Sequence, residues 1–394
     1  MTAHVIADDA EAVAVATSLA DEFRRGAAAR DAERRLPRQE VDRLAASGLL
    51  AVTVPAEYGG ADVTAETLAE VFRLLGSADA SLAQIPQSHF AYVQVIRRQG
   101  SVDQRKFFFA ELLAGRRFGN AQSEAGTRHV QDIRTRLRPE PDGSYVLDGV
   151  KNYCTGALFA DWIPVLARAE EDRLHVAYVP RDAPGVTVVD DWDGMGQRTT
   201  ASGTVRLDGV PVPADRVLPH HLTFEGPQLH GALAQLLHAA IDAGIAGAAL
   251  DEAVGFVRTK SRPWFEGGYE TAAEDPLLIQ RFGELALRVR AGEALLREAA
   301  RAVDAARDEL TDDSAAEASI AVAAAKVQAA DAAVEVAGAL FEVSGTRSAL
   351  DSLNLHRYWR DARTHTLHDP TRWKVQHIGR YVLGGIRPPR HGLL

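Results

Sequence analysis

Histidine titrates near neutral pH, so histidines standing beside other polar groups are the first candidates for proton chemistry. His365 and His368 are three residues apart in His365-Thr366-Leu367-His368-Asp369-Pro370. That string has three readings: a His that donates or shares a proton, a metal site made with Asp369, or a His that anchors Asp369 and the turn at Pro370. Only three ligand candidates fall in this one segment and no second cluster accompanies them, so no metal is expected. His89, in Gln87-Ser88-His89-Phe90-Ala91-Tyr92, is either a structural histidine among aromatic residues or a pocket group. Trp192, between Asp191 and Asp193, reads as a pocket wall or as a loop anchor. Cys154 is the single cysteine, which excludes an intramolecular disulfide and fits a reducing, cytoplasmic setting. No G-x-G-x-x-G after a strand, no P-loop string and no H-E-x-x-H occurs, so a nicotinamide Rossmann unit, a P-loop and a zincin site are all unsupported.

The elements that must position these residues change along the chain. From Ala10 to about Gly115 apolar residues recur at helical spacing, as in Leu68, Val71, Phe72, Leu74 and Leu75. Ser101 with Gln104 makes a capping-box signature ahead of Phe107, Phe108 and Leu112, and Gly115 stops that helix. Between Phe118 and Leu218, short runs at residues 144–147, 175–179 and 204–207 alternate with Asp-Gly turns at Asp142, Asp148 and Asp208. Long helical patterns return over 228–260, 276–306, 314–344 and 370–382. The expected fold is α+β, mainly α. It has an N-terminal helical domain over 1–117, a central antiparallel β-domain over 118–218 and a C-terminal four-helix bundle over 219–394.

Composition narrows the partners. The chain has 394 residues, 46% of them hydrophobic and 25% charged, which describes a globular protein with large cores. A net charge of -10 and no basic run argue against nucleic acid. Two apolar stretches, from Gly231 to Val257 and from Ala315 to Val343, are broken by His238, Asp242, Asp251 and Glu252 and by Lys326, Asp331 and Glu335. Neither is expected to span a membrane; their small side chains suit close helix packing in a bundle. No apolar signal run follows a charged start, so secretion is not expected.

Six segments in order resemble the acyl-CoA dehydrogenases across nearly the whole chain. They are Ala121-Gln122-Ser123-Glu124-Ala125-Gly126, Gly149-Val150-Lys151-Asn152-Tyr153-Cys154-Thr155-Gly156, Gly194-Met195-Gly196-Gln197-Arg198-Thr199-Thr200-Ala201-Ser202, Arg262-Pro263-Trp264-Phe265, Ser344-Gly345-Thr346 and Arg360-Asp361-Ala362-Arg363. The resemblance implies a flavin between β-domain and bundle, lined by Asn120, Ser123, Tyr153, Cys154 and Thr155. It implies phosphate contacts from Ser202 and from an Arg262 contributed by a neighbouring subunit, hence a homotetramer. Phe265, Ser344, Gly345, Thr346, His365 and Asp369 join the implied cofactor-binding set.

The departures from that pattern carry as much information. Acyl-CoA dehydrogenases place a carboxylate base eight residues after the Arg of the Arg-Asp signature, and eight after Arg360 is His368. With Arg363-Thr364-His365, Trp373-Lys374 and Pro388-Pro389-Arg390-His391, this substitution resembles the sulfur-acquisition oxidoreductases and dibenzothiophene monooxygenases. That likeness implies reduced FMN, with FAD as the alternative, delivered by a separate flavin reductase. It also implies reaction with molecular oxygen through a C4a-hydroperoxyflavin and transfer of one oxygen atom to a small organosulfur substrate. His89, Thr155 and His368 are then the catalytic candidates near the reacting flavin carbon. The rival readings are an acyl-CoA dehydrogenase with a relocated base and a scaffold without catalysis.

Overall fold

Four of the N-terminal helices begin where a short polar side chain, from Asp8, Thr64, Asp79 or Ser101, takes up a free backbone N–H group. In the computed structural model, which describes residues 3–394, the N-terminal helices are α1 (Asp9–Arg24), α2 (Ala27–Glu33), α3 (Arg38–Ala46), α4 (Ala65–Ala78), α5 (Ala80–Gln84), α6 (Gln87–Gln99) and α7 (Val102–Leu113). The expected capping box opens α7: Ser101 N donates to the Gln104 side chain at 2.9 Å and Gln104 N to the Ser101 hydroxyl at 3.2 Å. The apolar face of α1 packs on α4, and α4 in turn meets the long bundle helix His230–Thr259, where Phe72, Leu75, Leu236 and Ile241 share one core.

The central domain holds seven strands: β1 (Arg136–Pro139), β2 (Tyr145–Lys151), β3 (Trp162–Arg168), β4 (Leu174–Pro180), β5 (Val186–Val189), β6 (Thr204–Val212) and β7 (Val217–Leu218). Their order is β5-β6-β2-β1-β3-β4-β7. The sheet is mixed rather than wholly antiparallel. After the β1–β2 hairpin the chain crosses back to lay β3 parallel to β1, and Phe118 and Ala121 bridge to β3 in parallel as well. Strand β3 is buried along its length, so it lacks the alternation that marks a half-exposed strand.

The C-terminal helices are α8 (His230–Thr259), α9 (Pro276–Asp308), α10 (Asp312–Ser344), α11 (His356–His365) and α12 (Thr371–Gly384). The long patterns read from the sequence match α8, α9, α10 and α12; the short, strongly polar α11 is the added element. Alanines of α10 let it lie against both α8 and α9. Gly76 and Gly244 bring α4 and α8 into backbone contact, since a Cβ at Gly244 would meet Arg73 O at 2.4 Å and Ser77 N at 2.8 Å.

This packing gives one substitution opposite signs within one helix. At Gly244 an added methyl group strikes fixed backbone, an overpacking cost of about 1–3 kcal/mol. At Gly247 a Cβ meets nothing within 4 Å, so the helix-propensity gain of roughly 1 kcal/mol acts alone. Gly244→Ala therefore lowers the midpoint of thermal unfolding and Gly247→Ala raises it. Equal shifts in scanning calorimetry would refute the close approach of α4 and α8.

Candidate active site

Two buried ion pairs build the two sides of the site. On the β-domain side, Lys151 ends β2 fully buried and donates to Glu124 at 2.7 Å and to Gln122 O at 3.0 Å. Burial pushes the Glu124 carboxyl up, but Lys151 and the amide and hydroxyl of Thr135 pull it below its ordinary value. Asn152 N donates to Ser123 O at 2.8 Å, Ala125 N to the Asn152 side chain at 2.8 Å, and Cys154 N to Gly203 O at 2.9 Å. The segments carrying Ser123, Thr155 and Ser202 are thus clamped together. Tyr153, Gln197 and Ala201 are all held at positive φ, a conformation that non-glycine residues adopt only where the surroundings impose it.

These clamps aim a row of hydroxyls. Thr155 Oγ1 lies 2.7 Å from Ser202 Oγ, which lies 2.7 Å from Thr200 Oγ1, and Thr200 donates to Gln197 O at 3.1 Å. Tyr92 donates to Asn120 Oδ1 at 3.2 Å and so orients that amide. Tyr153 is 59% exposed, with its ring edge-on to Trp192.

On the bundle side, Lys326 of α10 donates to Asp242 of α8 at 2.8 Å, and both side chains are wholly buried. The second Asp242 oxygen accepts from His365 Nδ1 at 2.5 Å. Burial alone would raise the Asp242 carboxyl, but His365 and Lys326, each hydrogen-bonded to one of its oxygens, hold it below its ordinary value. His365 Nε2 lies 2.9 Å from His238 Nδ1 and 3.1 Å from the Gln84 side chain. The His238 ring in turn stands 4.2 Å, centroid to centroid, from His368. His368, with 44% of its side chain exposed, contacts Asp369 through Nδ1 at 3.2 Å, and Asp369 is paired with buried Lys374. Against the effect of burial, His368 and Lys374 hold the Asp369 carboxyl far below the usual carboxylate range.

Several residues expected at the site take other roles. His89 is a structural histidine: its Nε2 contacts Leu50 O at 2.8 Å and its Nδ1 accepts from Phe118 N at 3.0 Å, so neither nitrogen is left for a pocket. Burial keeps this ring neutral, with its pKa lowered to about 4. The Cys154 thiol points into the sheet core, pushed up to about 12 by burial, so Cys154 faces the site only through its backbone. His365 and Asp369 are occupied by Asp242 and by Lys374, which makes them supports of the site rather than ligands of a cofactor. Trp192 donates its Nε1–H to Gln197 O at 2.9 Å and anchors the loop leading to Ser202. Residues given no site role from the sequence are His238, Asp242, Lys326, Gln84 and Lys374. The first three were visible only as polar interruptions of apolar helices, and the helical spacing of His238 and Asp242 was the available signal.

The remaining expected residues lie at the far end of the bundle. Arg262 is exposed and makes no hydrogen bond or ion pair among the described residues, and Trp264 and Phe265 are exposed at 62% and 79%. Ser261 Oγ donates to Ser344 O at 3.1 Å; the Ser344 hydroxyl is buried without a partner, and Gly345 and Thr346 are exposed. From His238 to the end of α8 the helix rises roughly 30 Å, so Arg262 and Thr155 cannot grip opposite ends of one cofactor within one chain. The hydroxyl row, the Asn120 amide and the open Tyr153 ring offer the polar edges that a flat ring needs.

The sequence matches the acyl-CoA dehydrogenase N-terminal domain over residues 9–116, the middle domain over 118–210 and the C-terminal domain over 236–373. A dibenzothiophene monooxygenase of Rhodococcus erythropolis is 35% identical over 398 aligned residues, covering 97% of this chain and 95% of that protein. A probable FMNH2-dependent monooxygenase of Pseudomonas putida is 32% identical, covering 98% of each chain. The FMN-bound crystal structure of TdsC from Paenibacillus sp. A11-2 superimposes with a TM-score of 0.92 at 34% identity, over 97% of this chain and 100% of that one.

The buried pair behind the site has a measurable signature. Lys326→Met strands the Asp242 charge and costs about 3–5 kcal/mol of stability in denaturant unfolding. Adding Asp242→Asn removes the stranded charge and restores most of that loss. Additive losses in the double variant would show that the two charges do not depend on each other.

Proposed function

The chain belongs to the acyl-CoA dehydrogenase family, and from that premise we infer a flavin-dependent monooxygenase that uses reduced FMN and dioxygen to oxygenate an organosulfur compound. The observation that carries this reading is the state of the carboxylates. Removal of an α-proton from an acyl thioester needs a free carboxylate over the substrate. Here Asp242 is closed by Lys326 and His365, Asp369 is closed by Lys374 and His368, and the position eight after Arg360 is an imidazole. The relatives named as a dibenzothiophene monooxygenase and an FMNH2-dependent monooxygenase match nearly end to end, which supports oxygenation over desaturation and sulfur as the atom oxidised.

Bound in reduced form, FMN supplies the two electrons that divide dioxygen between substrate and water. The hydroxyl row favours that form. With Thr200 donating to Gln197 O, Ser202 donates to Thr200 and Thr155 to Ser202, which leaves the Thr155 oxygen as an acceptor. An acceptor suits the ring N–H that a reduced isoalloxazine carries and an oxidised one lacks. His368, backed by Asp369, holds or passes a proton at the open side of the site. The likeness to a probable FMNH2-dependent monooxygenase supports delivery of the reduced flavin by a separate reductase.

Arg262 and the exposed apolar side chains support an assembly. Leu277, Ile279 and Leu287 on α9, with Val382, Leu383 and Ile386 at and beyond α12, are exposed between 57% and 93%. We place these faces in a homotetramer built as a dimer of dimers, in which Arg262 of one subunit meets the phosphate held by another.

Single-turnover mixing of the protein with reduced FMN, oxygen and dibenzothiophene or a dialkyl sulfide should give an oxygenated product. In His368→Ala, flavin binding and oxygen uptake persist while product falls by about 10²-fold or more and hydrogen peroxide replaces it. Bleaching of bound oxidised flavin by an acyl-CoA would instead make the protein a dehydrogenase. For the assembly, light scattering should report a tetramer, and Arg262→Ala should weaken FMN binding by about 1.5–3 kcal/mol. A monomer with unchanged flavin affinity is the result that counts against the shared site.

A further inference from the structure

His238 is a buried titratable group that the reaction assigned above leaves without a role. It sits one turn before Asp242 on α8, with its ring tilted 37° against that of His368. Its Nδ1 faces His365, while its Nε2 has no hydrogen-bond partner among the described residues. We propose that His238 is a second imidazole of the reacting site. Asp242 is its positioning residue: acting through His365, it fixes His238 with hydrogen on Nδ1 and a bare lone pair on Nε2. This inference rests on the oxygenation reading for what the imidazole does, but not for its tautomer.

The proton count along the chain of contacts gives the tautomer. Asp242 is paired with Lys326 and, as a carboxylate, can only accept, so the proton in the 2.5 Å contact belongs to His365 Nδ1. The Lys326 and Asp242 charges already cancel in a dry pocket, and a charged His365 would leave one positive charge there uncompensated. His365 is therefore neutral, in line with the lowering of its pKa by burial, and its Nε2 carries only a lone pair. Gln84, placed with its oxygen 3.1 Å from that nitrogen, must then be turned about its amide so that its NH2 shares the lone pair with His238, an exchange of O and N that heavy-atom positions leave open. His238 Nδ1 must carry the hydrogen that His365 Nε2 accepts, and burial beside His368, His365, Lys326 and Lys374 keeps His238 from gaining a second proton. Its Nε2 remains an acceptor for an O–H or N–H. Beside it, His368 is half open and free to exchange its own proton. The two rings thus divide the work: one is a fixed acceptor and the other a proton carrier.

The test reads the ring nitrogens directly. Histidine-selective 15N labelling of the full-length protein without flavin, with the His238 signals assigned by their loss in His238→Asn, should show an unprotonated Nε2 and a protonated Nδ1. His365→Asn keeps an amide donor for Asp242 but removes the acceptor facing His238, so the tautomer preference should disappear. Affinity for oxidised FMN should be unchanged, and product formed per reduced FMN should fall by about tenfold or more, the loss expected when an acceptor is presented in the wrong tautomer. His365→Phe, which keeps the ring's bulk without either nitrogen and leaves Asp242 paired with Lys326, repeats the comparison should His365→Asn not fold. A protonated His238 Nε2 in the unsubstituted protein, an unmoved tautomer in the variants, or a moved tautomer with unchanged coupling each overturns the proposal. If the tautomer behaves as expected but dibenzothiophene and a dialkyl sulfide are never oxygenated, the assigned reaction fails while the fixing of His238 stands.

Discussion

A carboxylate with no exposure to water, Asp242, is the group on which the bundle side of the site depends. Removing such a charge from water costs several kcal/mol, and the cost is tolerable only where partners occupy both oxygens. Lys326 and His365 do so from α10 and α11, so one residue of α8 ties three helices at a single point. Helix α11 is short and mostly polar, with little apolar face of its own to dock. Its placement, and with it the position of His368 just beyond its end, follows from that contact together with the Arg360 pairing to Asp31 and the Asp361 contact to Gln197 N.

The β-domain solves the matching problem with a second buried pair. Lys151 is fully buried on Glu124, and the two belong to sequence segments that resemble a flavin site. Their role is to lock the loops that present Ser123, Thr155 and Ser202. Fixing loops by charge rather than by apolar packing leaves the pocket side free for small polar groups. The positive φ at Tyr153, Gln197 and Ala201 shows that the backbone there is held against its own preference.

The two halves also explain how one architecture serves a different reaction. The fold keeps helices, sheet and cofactor niche in the family's order. The chemistry turns on which acid–base group is free. Here Asp242 and Asp369 are each paired with a lysine, and His238 and His368 stand beside them as imidazoles. A pocket of imidazoles and hydroxyls can hold a proton near oxygen but offers no anionic base for carbon acids.

The sequence by itself determined the three-part architecture, because long apolar periodicities, a capping box and Asp-Gly turns are local signals that packing did not override. Motif order also carried the flavin chemistry, and His368 followed from counting along one segment. Tertiary structure alone decided which polar residues share a site. Asp242 and His365 are 123 residues apart, and Lys326 is 84 from Asp242, yet all three meet at one buried point. Seen as a string, His238, Asp242 and Lys326 only interrupt greasy helices. His89 failed the other way: its neighbours suited a pocket, but Leu50 O and Phe118 N, distant in sequence, take both of its nitrogens. Hydrogen bonding between side chains depends on where helices cross, and crossing is set by the sum of packing over the whole chain rather than by any one stretch of it.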